Sequence, residues 1–353
     1  MTGHPAEKMD PYFGFDIKSL MAMLTYRRPH ASKTEEKFIE KYIDPLGAEQ
    51  DGFGNRWLKI EGVGDAVLWS CHTDTVHYKD GMQATSKKND IVTLNKKSKA
   101  NCLGADDTAG VWLMVEMIKA GKPGTYVFHR GEECGGLGSD FVQKYEPERL
   151  DGILAAIALD RKGYDSVITY QGARCCSDAF ANSLADAIEG LEFRRDDTGL
   201  FTDTANYTHL VPECTNLSVG YGRQHTAKEW LDIAFLCALL DSLLRLDTEK
   251  LVIERDPAVE SKEWWEEDDT ESWYYQKDAY DTRWHEGPVN GTTTTRKQSD
   301  IYDIELDHMI RFCEDDALVV AKMLIDDGYT IDELYQAKES YRMVKKYRDD
   351  YGY

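Results

Sequence analysis

Five short segments carry side chains that can bind divalent cations or move protons. They are His72-Thr73-Asp74, Asp106-Asp107 in GADDTAG, Glu132-Glu133 in GEECGGLGS, Asp160 after ILAAIAL, and His225 in RQHT. Histidine nitrogen mixed with carboxylate oxygen suits zinc, cobalt or manganese. A carboxylate can bridge two cations with its two oxygens, which one imidazole nitrogen cannot do. Two adjacent glutamates in a loop point in different directions, so one can hold a metal while the other handles protons. A set of carboxylates this dense repels itself unless cations sit among them. Each segment alone also has a plain structural reading. An HxD after a strand is commonly chance, a Glu pair is commonly a solvated face, and Asp106 or Asp107 can cap a helix. The coincidence of all five carries the argument.

The elements around these segments explain why they could meet. Short apolar runs alternate with amphipathic stretches from residue 57, which predicts βα units and an α/β fold with a mostly parallel central sheet flanked by helices. Strands are predicted at 66–71, 125–129, 153–160 and 215–220. Helices are predicted at 109–120, 139–145, 176–189, 202–210 and 228–246, and two more within 16–46, where Ser32 or Thr34 supplies a cap. Residues 81–100 read as a hairpin or loop. Every candidate residue then lies at a strand end, in the loop beyond it, or just before a helix. Open α/β sheets bind ligands beyond the carboxyl ends of their strands.

The chain has 353 residues and a net charge of −22. That charge opposes binding to nucleic acid. No long apolar run predicts a membrane span, and the first residues do not read as a signal peptide, so a cytoplasmic location is expected. The eight cysteines are scattered without CxxC pairs, which predicts reduced, buried thiols. Cys175-Cys176 could bind a soft metal or simply pack. Residues 1–15 read as an N-terminal extension and 16–252 as the catalytic domain. Residues 253–303 form an acidic, aromatic-rich segment with Trp264, Trp265, Trp273 and Trp284, ending in the linker GPVNGTTTTRKQSD. Residues 304–353 read as a helical C-terminal appendage.

HTDTV, GADDTAG, GEECGGLGS, the aspartate after an apolar strand and the final HT resemble the di-zinc exopeptidases. The similarity spans roughly residues 16–250, and GFGN at 52–55 fits it as well. It implies a zinc-aminopeptidase-like fold. It also implies two divalent metal ions, zinc foremost, with cobalt or manganese as options. His72, Asp106 and Asp160 would hold one ion; Asp106, Glu133 and His225 would hold the other. The family's bridging aspartate stands four residues before a glycine, which selects Asp106 with Gly110 and leaves Asp107 in support. Asp74 would orient His72, and Glu132 would be the general base toward a metal-bridging water. The short intervals from His72 to Asp106 and from Asp160 to His225 leave no room for the domains inserted in other branches, so the compact aminopeptidase branch is the nearest likeness.

The leading expectation is therefore a metal-dependent aminopeptidase acting on small peptides. One alternative is an amide hydrolase of other specificity, an N-acyl amino acid deacylase or carboxypeptidase. Another is a non-catalytic binding protein on the same fold, which the complete ligand set opposes. A homo-oligomer formed through the C-terminal segment is a further expectation. Among secondary candidates, Asp203 could orient His225, contact substrate or cap a helix. Arg174 and Arg223 could grip a substrate carboxylate or pair at the surface. Arg130 could pair with site carboxylates. His77, His129 and His209 read as structural.

Overall fold

The structure is a computed structural model that describes residue 12 and residues 14–257. The expectations for residues 258–353, including the four tryptophans and the C-terminal helices, fall outside the described residues.

Along the chain, helix α1 (Ile17–Met23) leads through strand β1 (Tyr26–Arg27) to α2 (Lys33–Tyr42). Ser32 caps α2, its side chain accepting a bond from the Glu35 N–H, and Glu35 and Glu36 sit favourably in the first turn. Strands β2 (Glu49–Gln50), β3 (Arg56–Ile60) and β4 (Val67–His72) follow, then β5 (Gly81–Met82) and the hairpin β6 (Thr85–Lys88) and β7 (Ile91–Leu94). Helix α3 (Ala105–Lys119) precedes β8 (Gly124–His129), α4 (Leu137–Tyr145), β9 (Ala155–Arg161) and β10 (Ser166–Ile168). The rest comprises α5 (Asp178–Ala187), β11 (Arg194–Asp196), β12 (Glu213–Ser218), β13 (Tyr221–Gly222), β14 (Trp230–Asp232) and α6 (Ile233–Arg245).

Eight strands form the central sheet in the order β11-β10-β12-β9-β4-β8-β3-β2. The four in the middle, β12, β9, β4 and β8, run parallel. β4, β8 and β12 are buried along their whole length, as expected for parallel strands covered on both faces. Trp69, Trp112, Tyr126 and Phe128 are fully buried in the core between sheet and helices. A second, four-stranded sheet, β13-β14-β7-β6, takes in the predicted hairpin. Among the described residues no helix is long and apolar enough to cross a membrane.

Two predicted helices differ. Residues 202–210 contain only the 3-10 turn Asp203–Tyr207. Thr202 and Asp203 direct their side chains to Asp160 and His129 instead of capping an α-helix. The predicted helix at 228–246 begins later, because Trp230–Asp232 pairs antiparallel with Ile91–Thr93. Asp232 then caps α6 by accepting from the Phe235 N–H. Beyond α6 the packed unit continues to Arg255. Its guanidinium donates to the carbonyls of Thr208, Pro212 and Cys175.

Candidate metal centre

Parallel pairing of β4 with β8 sets His72 opposite His129. The loops leaving those strands, 73–76 and 130–136, therefore emerge side by side. Asp74 joins them. Its fully buried carboxylate accepts from the backbone N–H groups of Gly131, Glu132 and Glu133 at 3.0, 3.1 and 3.3 Å. The glutamate pair is thus fixed by a carboxylate from the neighbouring strand. The expected bond from Asp74 to the free His72 nitrogen takes another form. His72 Nδ1 lies 3.1 Å from the Asp74 carbonyl oxygen and 3.6 Å from its carboxylate, so the backbone oxygen sets the ring.

Asp106 occupies the middle of the cluster. One carboxylate oxygen is 3.0 Å from His72 Nε2 and the other 3.1 Å from His225 Nε2. Asp160 stands 3.5 Å from His72 Nε2, and Glu133 3.2 Å from His225 Nε2. Two sets of ligand atoms result, each within 4.8 Å of one another: His72, Asp106 and Asp160; and Asp106, Glu133 and His225. Glu132 lines the same cleft. The structure thus brings together six of the seven primary candidates, with Asp74 behind them. His225 has a left-handed backbone at φ 63°, strained for a residue other than glycine. Asp160 is held by Thr202, which donates to its carboxylate at 2.8 Å, and by the Tyr221 hydroxyl, which donates to its carbonyl at 2.7 Å.

Glu229 escaped the sequence reading. It is fully buried, and its two oxygens accept from four successive backbone N–H groups, Leu103, Gly104, Ala105 and Asp106, at 2.7 to 3.1 Å. It shapes the loop that delivers Asp106. The Asp106–Asp107 peptide is cis. Asp107 points away from the centre, accepting from the backbone N–H groups of His72 and Gly110 at 3.3 and 2.8 Å. The only hint in sequence was a glutamate four residues after His225.

The electrostatics are those of a crowded, buried set of carboxylates and histidines. Burial raises the Glu132 and Asp107 carboxyls well above the usual range, and Asp160 adds to both effects. Burial and repulsion from Asp106 push Glu133 up to about 7 and Asp160 up to about 6. Burial also opposes charging of His225, but hydrogen bonds and attraction from Asp106 and Glu133 prevail and push it up to about 12. Asp106 stays below the usual carboxylate range: burial opposes this, and the two histidines outweigh it. Each histidine Nε2 faces two carboxylate oxygens, and a single N–H cannot serve both well. Among the described residues, the buried Oε1 of Glu133 accepts no aligned hydrogen bond. Mixed N and O donors, a shared carboxylate and an orphaned ligand atom fit two divalent ions.

The secondary candidates lie elsewhere. Asp203 neither orients His225 nor caps a helix with its side chain; it pairs with buried His129 at 3.2 Å. Arg130 turns from the site to Glu35 and Glu36, at 3.0 and 2.6 Å. Arg174 pairs with Asp178 at the surface. Arg223 is exposed. His77 is buried between Thr75, Gln83 and the Cys102 carbonyl, His129 between Ser70 and Tyr207, and His209 is exposed. Cys175 and Cys176 are buried free thiols.

No family model matches the sequence, and no curated protein matches it. Solved structures do match in fold. Aminopeptidase PepT from Bacillus cereus superposes with a TM-score of 0.54 at 16% identity, over 66% of this chain and 98% of that one. A tripeptidase from Staphylococcus aureus gives a TM-score of 0.56 at 14% identity, over 67% of this chain and 97% of that one. PhTET1-12s, described as a dodecamer, gives 0.50 at 16% identity, over 65% and 99%. The chain has the α/β fold of these peptidases.

Proposed function

We propose that the protein is a metal-dependent exopeptidase, an aminopeptidase that removes one residue from the free amino end of a small peptide. The observation that carries this reading is Asp106, whose two oxygens each face a different histidine, with Asp160 and Glu133 flanking. The likeness in fold to aminopeptidase PepT and to a tripeptidase supports the same class. His72, Asp106 and Asp160 would hold one divalent ion, and Asp106, Glu133 and His225 the other. When bound, such ions supply Lewis acidity for an attacking water and for the scissile carbonyl.

The residues of the chain do the rest. Burial holds Glu132 with a high proton affinity, which suits a group that takes a proton from water and returns it to the leaving nitrogen. Asp74 fixes the loop that presents Glu132. The His72 ring is oriented by the Asp74 carbonyl. The cleft lined by Asp106, Glu132, Glu133, Asp160 and His225 holds about 120 Å³, a volume for a small group and not for a folded chain.

The test is a panel of free-amine, N-acetylated and C-terminally blocked peptides, assayed after loading with zinc, cobalt or manganese. Cleavage of free-amine peptides, lost on acetylation and on chelation, is the expected result. Faster cleavage of acylated substrates would move the assignment to a deacylase, and no bound metal would overturn it. We further propose that residues 253–303 and 304–353 serve assembly and not chemistry, in a cytoplasmic homo-oligomer. Light scattering of the full chain and of a form ending at residue 257 checks the assembly.

A further inference from the structure

The cleft that the carboxylates line also contains a buried polar group with no partner among the described residues. Gln171 follows β10 in the turn closed by the Tyr170–Arg174 bridge, where its own N–H donates to the Ala173 carbonyl at 2.8 Å. The residue lines the same cleft as Glu132 and Asp160 and is only 8% exposed. Among the described residues, neither the nitrogen nor the oxygen of its carboxamide has a hydrogen-bond partner. Buried polar groups almost always find partners, and an orphan is destabilising. Gln224, which lines the same cleft, also has a buried carboxamide oxygen without a partner among the described residues.

The chemistry of the missing partner follows from what Gln171 presents: two donors and one acceptor, with no charge. A carboxylate would satisfy the NH2 group but set a negative oxygen against Oε1. A hydrocarbon would satisfy neither. An amide supplies both a C=O and an N–H. We propose that Gln171 is a specificity-determining residue that binds a second amide of the substrate, next to the one cleaved. This rests on the aminopeptidase reading. A free amine at one end leaves the backbone amide on the leaving-group side as the one available. The favoured substrates are then tripeptides and amide-capped dipeptides over free dipeptides.

The experiment uses the full, metal-loaded chain with Ala-Ala, Ala-Ala amide and Ala-Ala-Ala. The two substrates with a second amide are cleaved with kcat/KM at least about tenfold above the dipeptide, the worth of roughly one good hydrogen bond. Gln171→Met, similar in shape but without the amide, brings that ratio close to one. Its denaturation midpoint is unchanged or higher, since no bond is lost in the free protein; a merely structural glutamine would lose stability. Binding of the same peptides to metal-loaded Glu132→Gln, with and without Gln171→Met, is measured by calorimetry. A binding preference that depends on Gln171 without any turnover supports the recognition role and overturns the hydrolase reading. Turnover with a ratio indifferent to Gln171 overturns the recognition role and leaves the hydrolase reading intact.

Discussion

Replacing Gly110 with alanine tests whether the distance between α3 and β9 sets the metal centre. A Cβ at this position would stand 2.3 Å from the Leu159 carbonyl oxygen and 2.6 and 2.7 Å from the Asp107 carboxylate oxygens. Ordinary contact begins at 3.4 Å, so helix and strand must part by about 1 Å to relieve the overlap. The obstructing oxygen of Leu159 is backbone, directly after the paired residues Ala155–Ala158 of β9, and does not swing aside as a side chain would. Overpacking of this kind costs about 1–3 kcal/mol or more. Better helix propensity returns about 1 kcal/mol, so a net loss up to about 2 kcal/mol is expected. The functional effect is larger. Asp106 lies at the start of α3 and Asp160 follows Leu159, so the parting pulls apart two proposed ligands that both approach His72. Misplacement by about 1 Å can cost on the order of a hundredfold in rate. Urea denaturation, metal content and kcat/KM of Gly110→Ala read all three effects. An unchanged midpoint together with unchanged kcat/KM would show that the α3–β9 approach does not position the site.

Three further outcomes are expected. Glu132→Gln keeps both metals while turnover drops by about two to four orders of magnitude; if it strips a metal and Glu133→Gln does not, the two glutamates have exchanged roles. Glu229→Ala leaves four backbone N–H groups without their acceptor. It should cost at least about 3 kcal/mol by denaturation and weaken metal binding about 10–100-fold, and near-native stability would refute the loop-shaping role. Metal loading at pH 7 should release protons. Attraction to Asp106 and Glu133 overcomes burial and keeps His225 charged up to about 12, and Asp160 with Asp106 holds His72 well above its ordinary value, whereas a metal ligand must be neutral. Affinity therefore rises with pH, and calorimetry in buffers of different ionisation heats should count at least about two protons per chain, those of the two histidines and part of one from Glu133; none released would contradict the assignment.

The metal-binding candidates were legible because strand ends are legible. Continuous apolar runs mark β4, β8, β9 and β12, and chemistry at their carboxyl ends must converge once the strands run parallel. The strands that were missed are short or half-exposed. β3, with RWLKI, is buried at one end and open at the other, and β10 and β11 are three residues each. Residues 202–210 look helical by composition, yet Thr202 and Asp203 have better partners in Asp160 and His129, and local propensity yields to them.

What sequence could not reveal is the layer that supports the ligands, because it is defined by contacts between distant segments. Glu229 reads as one charge at the start of an amphipathic stretch, but its partners lie more than a hundred residues earlier. Asp74 could be placed near His72 by sequence, yet its carboxylate is committed to the loop of Glu132 and Glu133. Both devices use the same physics. A buried carboxylate gathers three or four backbone N–H groups into a fixed loop, which a neutral side chain could do only in part. One loop carries the shared ligand Asp106, the other carries Glu132 and Glu133. The negative charge that the supports add has to be balanced by something positive nearby. Buried Arg28 supplies one positive charge toward Asp74 and Asp107; His72 and His225 supply the others, and binding metal would require both histidines to give up their protons. Under the proposed function divalent cations would supply that positive charge, and the same charges that shape the loops would help to hold them.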